Sequence, residues 1–142
     1  MLCPNPIVIN VNKYKKSLYE AIIEDEVKYG HRIIHNHRDY LVIVPEITKY
    51  GGEIRVLFKS NKRFEELKER DLEELAKIFR NLFKKIYNVQ GYNPFNICIH
   101  THPLNTPKSK NSHFHTHIHI IPRKYSFGGF ELGTDVYVSS IN

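Results

Sequence analysis

His115-Thr116-His117-Ile118-His119-Ile120-Ile121-Pro122 is the stretch that decides how this chain is read. Imidazoles alternate with β-branched residues and the run stops at a proline, which is the pattern of a β-strand. Side chains alternate across a strand, so His115, His117 and His119 are expected on one face and Thr116, Ile118 and Ile120 on the other. His113 shares the parity of the histidines if the strand reaches that far. Neighbouring imidazoles depress one another's pKa, and a row of them persists where an anion, a metal or water balances it. A single histidine on a solvated sheet face ordinarily does nothing. Three in strict alternation mark a site.

Working outward, Phe95–His100 and Phe114–Ile121 read as two strands, the second stopped by Pro122. Before them lies a helix, Asp71–Asn88. Asp71 and Glu74 have capping-box spacing, and Leu72, Leu75, Phe79, Leu82, Phe83 and Ile86 recur at steps of three and four. Earlier still, three strand-like runs, Arg32–His35, Tyr40–Val44 and Glu53–Lys59, are separated by Pro45 and the Gly51-Gly52 pair. A first helix, Tyr14–Tyr29, places Leu18, Ile22 and Val27 near one face, with Gly30 as its C-terminal cap. Val136–Val138 is a candidate short edge, and Thr101–Ser112 a long polar loop beside the histidines. Helix, three-strand meander, long helix and two strands predict an α+β fold, an antiparallel sheet with helices packed on it. No repeat or composition break divides the chain, so residues 1–142 are expected to form one domain.

Composition sets the outer limits. Hydrophobic residues make up 41% and charged residues 25%, which excludes disorder. Cys3 and Cys98 are too few for a disulfide framework, and no apolar run is long enough for a signal or spanning segment, so a cytoplasmic setting is expected. The net charge of +6 suits small phosphorylated substrates as well as nucleic acid. The basic residues are scattered and carry no nucleic-acid-binding motif, so nucleic acid is set aside.

Two chemistries fit the histidine strand. In one, His117 is a nucleophile whose neutral ring nitrogen attacks phosphorus, the other nitrogen donating to a carbonyl that fixes the tautomer. His119 and His115 then bind the phosphate from either side, and no cofactor is required. In the other, His117 and His119 are metal ligands, with His100 of the neighbouring strand as a third and zinc or iron as the ion. Spacing alone leaves both open.

The run His115-Thr-His-Ile-His-Ile-Ile-Pro-Arg-Lys resembles the signature of the histidine-triad superfamily. The resemblance implies a histidine-triad-like fold, nucleotide hydrolase or transferase activity and a homodimer, with the Asp71–Asn88 helix or its neighbouring strand near the contact. It gives His117 the nucleophile's place and His115 and His119 the flanking ones. His100 stands where some members carry a phosphate-contacting glutamine. A longer resemblance runs through Ser17–Glu24, Asp39–Pro45, Ile99–Leu104 and Gly129–Tyr137, which look like the C-terminal half of galactose-1-phosphate uridylyltransferases. Those enzymes hold two copies of the fold, with their catalytic His-Pro-His segment in the first, which is missing here together with its Cys-x-x-Cys pair. In some second copies the positions matching His100, His117 and His119 hold a metal. The implied partner is a nucleotide or nucleotide-sugar. The implied reaction is hydrolysis or transfer at the α-phosphate through a covalent nucleotidyl-histidine, and the implied alternative is a non-catalytic metal-holding or nucleotide-binding module.

Overall fold

The computed structural model describes residues 17–48, 51–91, 94–103 and 114–123. Helix α1 spans Leu18–Tyr29 and starts four residues inside the expected boundary, with Ser17 as its cap. Its hydroxyl accepts from Glu20 N–H at 3.0 Å, and the Glu20 carboxylate accepts from Ser17 N–H at 2.7 Å. The helix ends at Gly30, whose φ of 74° is a left-handed conformation that glycine adopts without strain. Its buried face is not the one expected. Ile22 and Ile23 pack on the sheet, whereas Leu18 and Val27 are exposed. Buried Glu26 turns inward and is held by Arg32 through its Nε and a terminal nitrogen, which displaces Val27 from that face.

Three strands follow: β1 (Ile33–Asn36), β2 (Tyr40–Ile43) and β3 (Ile54–Phe58). After a 3-10 turn at Phe64–Glu66 comes α2, Glu69–Gln90, then β4 (Phe95–His100) and β5 (His117–Pro122). The Asp71 cap differs in detail from the expectation. Asp71 sits in the third helical position and its carboxylate accepts from Lys68 N–H at 3.1 Å, so the helix begins one half-turn earlier. The sheet order is β1-β2-β3-β5-β4, antiparallel throughout. Inserting β5 between β3 and β4 puts the histidine strand in the interior of the sheet.

Period-2 alternation divides the core. Val42, Val56, Phe58, Ile118 and Ile120 face α2 and meet Leu75, Ile78 and Leu82 in the larger cluster. On the opposite face Leu41, Ile43 and Leu57 pack against α1. β5 joins at its centre because Ile118 and Ile120 are essentially inaccessible, which secures the strand's register and therefore which way its histidines point. β4 is one of the two edge strands, and Phe95, Ile97 and Ile99 on its α2 side remain exposed. Among the described residues no helix is long and apolar enough to cross a membrane.

Candidate functional site

The face of β5 opposite α2 carries His117 and His119. In the ladder His117 lies opposite His100 of β4 on one side and Leu57 of β3 on the other. His119 lies opposite Cys98 and Arg55. His100 and His117 stack with ring centres 4.9 Å apart and planes 8° from parallel. His119 meets the edge of His100 at 4.8 Å and sits 5.2 Å from His117. One nitrogen from each of the three rings falls within 4.8 Å of the others.

His115 precedes the ordered strand and is buried with its ring on the Phe58 carbonyl (Nδ1 to O, 2.7 Å). It stacks on Tyr19 of α1 at 5.8 Å, and Tyr19 in turn touches His117 at 5.2 Å. The structure thus brings His100, His117 and His119 together, while His115 forms the wall behind His117. Its depth comes from α1, which lies over that part of the face. His113, residues 104–112 of the polar loop, and the Gly129–Tyr137 segment with Val136–Val138 lie outside the described residues.

Hydrogen bonds assign the tautomers. His117 Nδ1 lies 2.9 Å from the carbonyl of His115, and a carbonyl only accepts, so Nδ1 carries the proton and Nε2 keeps its lone pair. The same reasoning applies to His115 on Phe58. His119 Nδ1 lies 2.7 Å from Glu53 Oε1. That carboxylate is ionised. Burial pushes it up, but donors on His119, Arg55 and Thr48 outweigh burial and hold its pKa at about 2. His119 is therefore also a donor at Nδ1, and its Nε2 has no hydrogen-bond partner among the described residues.

Burial lowers the pKa of His117 to about 4 against the donation to His115, with His119, His100 and Arg55 adding repulsion. His100 is lowered by burial, then by His119 and Arg55. A neutral His117 at physiological pH, with one nitrogen fixed as donor and a lone pair on the other, can attack an electrophile or bind a metal.

Glu53, Arg55 and Tyr19 belong to this site and were not singled out in the sequence. Glu53 and Arg55 left a faint signal, two charges at the parity of β3 that joins the histidine face. Tyr19 left none, since it comes from a helix distant in the chain.

The family profile of the galactose-1-phosphate uridyl transferase C-terminal domain matches residues 9–138. The chain is 27% identical over 117 residues to an ADP-glucose phosphorylase of Arabidopsis thaliana, covering 82% of this chain and 33% of that protein. The crystal structure of an ADP-glucose phosphorylase from the same organism, with bound ADP-glucose, superposes with a TM-score of 0.75 at 26% identity. That match covers 89% of this chain and 40% of the other. A zinc-bound histidine-triad protein of Mycobacterium smegmatis shares the fold, with a TM-score of 0.53 and 16% identity over 78% of this chain and 76% of that one. The chain therefore spans well under half the length of the first two relatives.

Proposed function

The chain belongs to the family of galactose-1-phosphate uridyl transferase C-terminal domains, and from that premise we propose that it transfers a nucleotidyl group through a covalent bond to His117. The substrate is a nucleotide or nucleotide-sugar, a reading supported by the similarity to ADP-glucose phosphorylase. The observation that carries the proposal is the fixed tautomer of His117: Nδ1 donates to the His115 carbonyl and Nε2 presents a lone pair on a neutral ring. In the first step Nε2 attacks the α-phosphorus. The N–P bond forms as the P–O bond to the leaving group breaks, and the leaving oxygen takes the electron pair. In the second step an oxygen of water or of another acceptor attacks phosphorus and the N–P electrons return to Nε2. His119 and His100 face the same space as the phosphoryl oxygens, and a proton on His119 Nε2, opposite the Nδ1 that Glu53 holds, is the donor that stabilises them in this reading. Incubation with α-labelled nucleotides and nucleotide-sugars tests this. An acid-labile label on the wild type that is absent from His117→Asn is expected. Label retained by His117→Asn would overturn the nucleophile assignment.

A second reading is favoured by one observation, the convergence of three imidazole nitrogens within 4.8 Å. His100, His117 and His119 fit zinc or iron in donor type, and Glu53 behind His119 is the outer carboxylate such sites use. A bound ion would act as a structural clamp or a Lewis acid. It would also occupy the His117 nitrogen that the covalent reading needs. One tightly held ion in protein purified without nickel resin, together with no nucleotide turnover, would favour a non-catalytic module.

We also propose a homodimer formed along β4, the edge strand whose Phe95, Ile97 and Ile99 are 39%, 45% and 46% exposed. The exposed thiol of Cys98 suits a reducing, cytoplasmic setting.

A further inference from the structure

β3 contributes two charged side chains to the histidine face. Arg55 stands opposite His119 in the ladder, and Glu53, at the same parity, lies just before the strand. The Glu53 side chain is 2% exposed. Its Oε1 accepts from His119 Nδ1 and from Arg55 Nε, each at 2.7 Å, and Thr48 donates its hydroxyl to Oε2. One buried carboxylate therefore holds an imidazole and a guanidinium side by side. A buried carboxylate needs donors, and a strand arginine could serve that need alone. The geometry of Arg55 goes further. Only Nε is used, the donors of both terminal amino groups have no partner among the described residues, and the side chain is 31% exposed. A guanidinium tethered through Nε presents its outer edge as a fork, which matches two oxygens of a phosphate.

We infer that Arg55, tethered by Glu53 beside His119, binds the oxygens of a phosphate group adjoining the phosphorus that His117 engages. Glu53 is the positioning residue for both neighbours. The inference rests on reading this face as a phosphate-handling site. The phosphate has two sources, the next phosphoryl group of a bound nucleotide or free inorganic phosphate.

Calorimetric titration of the full chain with AMP, ADP, pyrophosphate and inorganic phosphate separates them. Losing a charge-assisted fork should weaken binding by about tenfold to a hundredfold. That loss for ADP and pyrophosphate in Arg55→Gln, with AMP unchanged and partial recovery in Arg55→Lys, assigns the fork to a nucleotide's next phosphate. The loss for inorganic phosphate assigns it to the free ion. Unchanged binding of all four in Arg55→Gln, or a wild type that takes none at millimolar concentration, overturns the inference. In Glu53→Gln the imidazole nitrogen signals of His119 should report a mixed tautomer, and an unaltered Nδ1–H spectrum would remove Glu53 from its role. Arg55 is 31% exposed and its terminal amino groups have no hydrogen-bond partner among the described residues, so its variants report even if Glu53→Gln fails to fold. Failure of the covalent reading looks different: wild type then shows no labelled adduct, while phosphate binding still depends on Arg55.

Discussion

At the scale of single residues, the site separates histidines that differ in partner rather than in type. His117 donates to a backbone carbonyl and His119 to an ionised carboxylate, so their losses should differ. His117→Asn removes the covalent step, and single-turnover release should fall by several orders of magnitude while substrate still binds. His119→Asn removes a charge-stabilising donor, with an expected loss of about a hundredfold to a thousandfold. Equal losses accompanied by equal loss of bound metal would favour the metal reading instead. The pKa of His117, at about 4, sets the acid limb of adduct formation. The neutral ring predominates above that value, so the rate of labelling should hold as pH falls from 7 to 5. A rate that halves near 6.5, the ordinary value for histidine, would show that burial does not protect this ring.

At the scale of elements, the two ends of the packing argument can be tested apart. Ser17 caps α1 through a reciprocal pair with Glu20, and this helix supplies the Tyr19 wall of the site. Ser17→Ala should cost about 1 kcal/mol, read as a lower denaturation midpoint. Ile118 lies between the two site histidines and points into the other face with no exposure. Ile118→Ala should cost about 2–5 kcal/mol by the same measurement, because it empties the centre of the α2-facing core. A loss below 1 kcal/mol would mean that the register of β5 is not held by this packing. These elements were legible to different degrees. The amphipathic stripe of α2 and the alternation of β5 are periodic signals that survive in sequence. The inward turn of Glu26 was not legible, because its place in α1 depends on Arg32, which reaches it only after the chain reverses at Gly30.

At the scale of the whole molecule, acid should destabilise the fold in two stages. His117 is depressed from 6.5 to about 4, so between those values the unfolded chain binds a proton that the folded chain refuses. Stability is then lost as pH falls through that window. Glu53, depressed from 4.5 to about 2, contributes stability that is complete above 4.5 and is lost as pH falls through about 2. Thermal melts across this range should show the first decline near pH 6, and His117→Asn should reduce it, leaving the part that His100, also lowered by burial, contributes. Assembly belongs to this scale as well. Light scattering at micromolar concentration should give a dimer, and Ile97→Lys, which puts a charge on the exposed edge, should give a monomer. A wild-type monomer would sink the dimer proposal.

The sequence by itself determined the α+β antiparallel fold and the common face of His117 and His119, because strand and helix periods are local and each residue's side is set by counting along its own element. It could not determine that β5 enters between β3 and β4, or that Glu53, Arg55 and Tyr19 join His100 on that face. Those contacts join segments far apart in the chain, and only burial of Ile118 and Ile120 against α2 decides which strands lie beside the histidines.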